Sequence, residues 1–289
     1  MTKAQVPVKI AILDDYQNVA LQMADWSKLG ERVEIVVFND HVTDPQQLVE
    51  RLLPFDILCV MRERTPLPRS VLESLPQLKL IASTGERNGS IDARAAKERG
   101  IAIVNTRYVS DPTVELTWGL ILASARHIAL ESLSLRAGGW QQHIGDGMSG
   151  KTLGVLGLGN IGTRVAQIGL AFGMQVIAWS QNLTEEKAAA SGVRYVSKDD
   201  LFRGADVLSI HLILSGRTRG LVGASELALM KRSARLINTS RGIIVVEDAL
   251  IEALRERRIA GAALDVFDTE PLARGILSGH WIMCSLPRI

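Results

Sequence analysis

Along the chain, short apolar runs bounded by polar turns alternate with stretches whose apolar positions recur at helical spacing. That alternation predicts parallel β-strands joined by helices. The first series of runs is "VKIAILDD", "VEIVVFND", "DILCVM", "LKLIAST" and "IAIVNT", with amphipathic stretches such as "DPQQLVERLLP" and "DARAAKERG" between them. The second is "KTLGVLGLG", "MQVIAWS", "GVRYV", "ADVLSIHL", "ARLINTS" and "AGAALDVF". Between the two series lies "DPTVELTWGLILASARHIALESLSLRAGGW", which predicts one long helix. Asp111 is its expected N-cap, Pro112 its first helical residue and Gly138-Gly139 its stop. A helix of that length suits a connector between domains. The pattern as a whole predicts an α/β protein of two consecutive domains with parallel sheets, divided near Thr106.

Length agrees with about two domains, and 47% apolar with 22% charged residues is ordinary for a globular chain. The 33 basic and 31 acidic residues are spread without blocks, which argues against nucleic acid as a partner. No run approaches the roughly 18 apolar residues of a membrane span. The start, "MTKAQVPVKIAILDDY", lacks the apolar core and cleavage site of a signal peptide. Cys59 and Cys284 form neither a metal-ligand spacing nor a disulfide framework, so no metal is expected and a reducing cytoplasm fits.

The chemistry begins at Gly157-Leu158-Gly159-Asn160-Ile161-Gly162, which closes an apolar run and opens a helical one. A GxGxxG stretch at a strand-to-helix turn is the setting a dinucleotide requires. Gly157 permits the tight turn, Gly159 lets a pyrophosphate approach the backbone, and Gly162 lets helix and strand pack closely. Amides at the helix N-terminus, Asn160 and Ile161 among them, then face the phosphate. The carboxylate expected about 20 positions on, for the ribose hydroxyls, is missing. Ser180 and Gln181 stand there instead, with Asn182 beyond them. Both residues can hydrogen-bond a ribose, and neither repels a 2′-phosphate, so NAD and NADP stay open.

Further on stand "SIHLILSGRTRGLVG" and "LINTSRGIIVVEDALIEALRERRIAGAALDVFDTEP". With the mid-chain glycine turn, these resemble the D-isomer-specific 2-hydroxyacid dehydrogenases, over nearly everything from Lys9 to Leu272. The resemblance implies two Rossmann-like or flavodoxin-like domains, the cofactor domain following the first lobe of the substrate domain. It implies a substrate domain over 1–105, a cofactor domain over 106–274, NAD or NADP as cofactor, a small 2-keto or 2-hydroxy acid as substrate, and a homodimer. Arg241 would orient the substrate, consistent with a guanidinium at the carboxyl end of a parallel sheet, whose planar fork suits a carboxylate. Glu270 would support a catalytic histidine. Asp265, Thr239 and Ser240 would lie by the cofactor. His211 matches a family histidine near the cofactor, or is a satisfied core residue. In the first lobe the resemblance implies that backbone amides from Thr84 to Asn88, including Gly85, hold the substrate carboxylate. Arg62 is a second anchor or a surface ion-pair partner.

The tail "GILSGHWIMCSLPRI", residues 275–289, breaks the pattern. The family's acid–base histidine belongs in a segment like "LDNVLATPHIG", which the chain lacks, and His280 stands in another context. The genetic code suggests why. Joining the third base of each codon to the first two of the next forces Leu from His280-Trp281, Asp from Trp281-Ile282 and Val from Met283-Cys284. Allowed codons complete "HPLRALDNVLATPH". The tail therefore reads as out-of-frame translation beginning between about Leu272 and Gly275. It is expected to be poorly ordered, since it has no periodicity. Two rivals to an active dehydrogenase follow: an NAD-sensing binding protein of the same fold, and an inactive gene product.

Overall fold

A computed structural model describes residues 7–270 and the backbone of residues 281–283. The chain forms two compact units, Met1–Val109 and Ser110–Ile289. The division thus falls after Val109 rather than after residue 105.

In the first unit all five apolar runs are strands: β1 (Val8–Ile12), β2 (Val33–Val37), β3 (Ile57–Val60), β4 (Leu80–Ser83) and β5 (Ala102–Asn105). They form one parallel sheet in the order β2-β1-β3-β4-β5. This is the flavodoxin-like winding, which reverses direction between β1 and β3. Helix α1 (Pro45–Leu52) starts where the Asp44 side chain accepts the Gln47 N–H at 2.8 Å. It buries Leu48 and Leu52, one turn apart, against the sheet residues Ala11 and Leu58 in a single apolar cluster. Helices α2 (Arg69–Glu73) and α3 (Ala93–Glu98) complete this layer, α3 capped by Asp92 on the Ala95 N–H.

The second unit opens with α4 (Asp111–Ala125) and α5 (Ile128–Arg136). Its sheet strands are β6 (Thr152–Leu156), β7 (Gln175–Trp179), β8 (Arg194–Tyr195), β9 (Val207–Ile210), β10 (Arg235–Asn238), β11 (Gly261–Leu264) and β12 (Trp281–Met283). Between them run α6 (Asn160–Ala171), α7 (Glu185–Ala189), α8 (Lys198–Gly204), α9 (Ala224–Leu229) and α10 (Glu247–Arg255). The order β12-β11-β10-β9-β6-β7-β8 is the dinucleotide-binding winding, reversing at β6, with one strand added at the edge. Every residue of β9, β10 and β11 is buried, which is why these runs read as continuously apolar rather than alternating.

The long helix between the two series differs from expectation. Ser110, not Asp111, is the N-cap, and the helix breaks after Ala125, where His127 takes a left-handed φ of 53°. The break divides a buried helix from an exposed one. α4 buries Val114, Thr117, Trp118, Leu120 and Ile121, while α5 buries none of its residues. α4 packs on α6, β10 and β11 of its own unit. Within the tail, Trp281–Met283 pairs in parallel with β11, Ala262 opposite Trp281 and Leu264 opposite Met283; the expectation of poor order for the other residues of 275–289 lies outside the described residues. An open strand edge offers main-chain partners whatever the side chains are.

Candidate active site

The glycine turn sits at the carboxyl end of β6, beside the point where the strand order reverses, and its three glycines do different work. Gly157 has φ 106°, and a Cβ there would stand 2.8 Å from the His211 carbonyl. A Cβ on Gly162 would lie 2.0 Å from the Gly157 carbonyl oxygen. These two glycines let turn, helix and neighbouring strand touch. Gly159 is exposed, with φ −94° and no heavy atom within 4 Å of its would-be Cβ. Its freedom from a side chain serves nothing inside the protein, and it opens a cradle at the start of α6. Helix geometry leaves the first amides of α6, Asn160 and Ile161 among them, without helical partners, and no side chain caps them. The residues present therefore fit a dinucleotide pyrophosphate.

The Gly157 N–H donates to the Trp179 carbonyl at 2.9 Å, which places Ser180 next to the turn. Ser180 is half-buried, while Gln181 and Asn182 are exposed. His211 follows β9, its N–H on the Leu156 carbonyl and its Nε2 2.8 Å from the Ser209 hydroxyl. Burial pushes its pKa down to about 3, so the ring is neutral at physiological pH. It is thus a satisfied histidine and a wall of the glycine turn at once.

The turn after β10 carries Arg241. Asn238 Oδ1 accepts the Ser240 N–H at 3.0 Å, and Nδ2 donates to the Arg241 carbonyl at 3.0 Å. The Ser240 hydroxyl donates to the Leu212 carbonyl, and the Arg241 guanidinium donates to the Ser240 carbonyl at 2.8 Å. The Thr239 hydroxyl points away, buried against α4 on Thr117 at 2.8 Å. Asp265 stands one residue past the end of β11, half-buried, its N–H on the Asn238 carbonyl at 3.0 Å. Glu270 folds back so that its Oε1 accepts the Phe267 N–H at 3.1 Å. Gly242 joins the two loops, since a Cβ there would overlap the Phe267 main chain. Arg241, Ser240, Asp265, Glu270, His211 and the glycine turn thus share one edge of the second sheet.

On the first unit, Arg62 has φ 49°, its N–H on the Thr84 hydroxyl at 3.0 Å and its guanidinium 5.0 Å above the Tyr108 ring. The Thr84 N–H donates to the Val60 carbonyl, and the Gly85 N–H donates to the Thr106 hydroxyl at 2.8 Å. Asn88 turns inward: its Nδ2 donates to the Arg62 carbonyl and to Ser83 Oγ. Two of the amides expected to hold a carboxylate are therefore engaged within this loop cluster. Sequence reasoning missed Asn238 and Gly242. The spacing from Asn238 to Ser240 is that of an Asx-turn and could have flagged the first.

The second unit is a dinucleotide-binding domain with an arginine and a glutamate at the mouth of its sheet. The profile of the D-isomer specific 2-hydroxyacid dehydrogenase NAD binding domain matches residues 118–283. A glyoxylate reductase of Aeropyrum pernix is 45% identical over 212 residues, 70% of this chain and 63% of that protein. A D-3-phosphoglycerate dehydrogenase of Methanocaldococcus jannaschii is 38% identical over 268 residues, 91% of this chain and 50% of that one. A phosphoglycerate oxidoreductase structure from Vibrio cholerae superposes with a TM-score of 0.90 at 38% identity, covering 96% of this chain and 91% of the other. The chain belongs to the D-isomer specific 2-hydroxyacid dehydrogenase family. The matched part spans about half to two thirds of the length of the two relatives named first. No described helix is long and apolar enough to cross a membrane.

Proposed function

We propose that this chain is built to exchange a hydride between NAD or NADP and a small 2-keto or 2-hydroxy acid. The observation that carries the reading is the meeting of the Arg241 and Glu270 loops at Gly242, on the sheet edge that also bears the glycine turn. The nicotinamide, when bound, supplies or accepts the hydride. Arg241 takes the substrate carboxylate in a two-pronged hydrogen bond and orients the carbonyl. His211, neutral and bonded to Ser209, puts no competing positive charge beside the cofactor. On the first unit, the loops with Arg62, Thr84, Gly85 and Asn88 are the proposed substrate-facing surface.

The proton needs an acid that Glu270 can support, and in the family resemblance this is a histidine from a Thr-Pro-His segment. We read residues 275–289 as an out-of-frame version of that segment. Sequencing the gene across codons 270–289 tests the frame, and restoring it by one base tests the chemistry. NADH- and NADPH-dependent reduction of glyoxylate and hydroxypyruvate should rise about 10²- to 10⁴-fold, the usual contribution of a positioned acid. Ordinary turnover by the unrestored chain would sink this account of the tail, and His280 would then be the acid to examine. Saturable cofactor binding without turnover in either form would favour an NAD-sensing binding protein.

The proposed assembly is a homodimer, in a reducing cytoplasm. α5 and the loop after it expose Ile128, Leu133, Leu135, Trp140 and Ile144 within a short stretch, at 51–97%. Monomers seldom leave so many apolar side chains together in water.

A further inference from the structure

The turn that carries Arg241 is organised around one side chain. Asn238, the last residue of β10, is 1% exposed. Its side chain takes the Ser240 N–H and gives a hydrogen to the Arg241 carbonyl, while its main-chain carbonyl takes the Asp265 N–H. The orientation of the amide follows from its partners, because a main-chain N–H only donates and a carbonyl only accepts. Three residues of the proposed site thus depend on a single buried residue, where water does not compete for the bonds. Ionised Asp at this position could only accept, Ser could not span both partners, and Leu could do neither. The neighbouring Thr117–Thr239 hydroxyl pair ties the same strand end to α4, and its two hydroxyls make no bond to Ser240 or Arg241.

We propose that Asn238 is a positioning residue for the reaction: its amide fixes the path of the backbone through Ser240 and Arg241 and so aims the guanidinium. The inference rests on the reading of Arg241 as carboxylate anchor. With the donor lost, the Arg241 carbonyl keeps the longer bond from the Ile244 N–H at 3.3 Å, a weaker hold on the peptide planes on either side of Arg241. The guanidinium then spreads over several directions, and the entropy of gathering it falls on substrate binding.

Asn238→Asp keeps the shape and the acceptor but removes the donor and sets a negative charge against a carbonyl. Thr117→Val removes a buried hydrogen bond at the same strand end without touching the Arg241 turn. Two measurements on the 289-residue protein separate positioning from general weakening. Amide hydrogen exchange over residues 239–244 is followed without cofactor, and oxalate affinity is measured by calorimetry at saturating NADH. At pH 8, Asn238→Asp should speed exchange in this segment and weaken oxalate about tenfold, the effect of one lost hydrogen bond of ordinary strength. At pH 5.5 both should recover towards the parent, because a buried carboxyl takes up a proton readily and then donates and accepts as the amide did. Thr117→Val should melt at a lower temperature yet bind oxalate within about twofold of the parent, since no bond in the Arg241 turn is lost.

Equal oxalate losses in the two variants, or no recovery on acidification, would overturn the proposal. If the parent itself takes up no oxalate, the substrate reading fails, and exchange still decides the positioning role: unchanged exchange in Asn238→Asp rejects it. Should Asn238→Asp not fold, Asn238→Ser carries the same two measurements at pH 8, with parental values in both again rejecting the role.

Discussion

The α-carbon of Gly242 faces the main chain of Phe267 so closely that a Cβ would stand 2.1 Å from the Phe267 carbonyl carbon. Arg241 precedes that contact by one residue, and Glu270, bonded to the Phe267 N–H, closes the loop on its other side. Two catalytic candidates are thus spaced by a backbone-to-backbone approach that only glycine allows. Gly242→Ala should push the loops apart at a cost of about 1–3 kcal/mol, the usual range for overpacking. Thermal melting checks the stability loss, and in the frame-restored protein KM for the keto acid should rise with it. An unchanged melting temperature and KM would show that the loops yield freely.

Gly159 and Gly162 should respond in opposite ways. Gly159→Val adds a side chain in open space at an ordinary backbone angle, so the fold should hold while NADH binding, followed by fluorescence, is lost. Gly162→Ala sets a methyl against the Gly157 carbonyl and should lower the melting temperature first. Normal NADH affinity in Gly159→Val would mean that the cradle is not where the pyrophosphate lies.

His211 gives a pH signature. Its folded pKa of about 3 lies below the value of about 6.5 expected when unfolded, so the unfolded chain takes up the proton first. The stability this residue contributes is complete above pH 6.5 and is lost as pH falls towards 3. By NMR, its ring resonances should stay fixed from pH 8 to pH 5. A midpoint near 6.5 would show that the ring is open to water.

Exposed α5 predicts an association that one charge can break. Leu133, 64% exposed, should tolerate Glu without loss of folding. Light scattering should then report a dimer for the parent and a monomer for Leu133→Glu. A parent that is monomeric at micromolar concentration would remove the homodimer from the account.

The strands were legible because central parallel strands are buried on both faces and leave unbroken apolar runs. The helix break at Arg126-His127 was not. α4 is apolar on most of its surface, so it carries no stripe whose phase could mark an end. His127 also adopts its left-handed angle without a glycine or proline to announce it. In the site, the glycine turn and Arg241 could be read because each is a local motif. The Thr117–Thr239 bond joins residues 122 positions apart, and the Gly242–Phe267 approach joins two separate loops. Neither leaves a periodic trace. The sequence places Thr239 at the cofactor and gives no sign that its hydroxyl bonds Thr117 of α4.

The contiguity of the first sheet bears on how the chain is made. Among the described residues, every strand partner in β2-β1-β3-β4-β5 lies before residue 106. A ribosome delivers that whole ladder before it delivers α4, and domains fold as units during synthesis at about 5–20 residues per second. The first unit can therefore settle its strand order before the apolar surface of α4 and the second sheet emerges to compete for it.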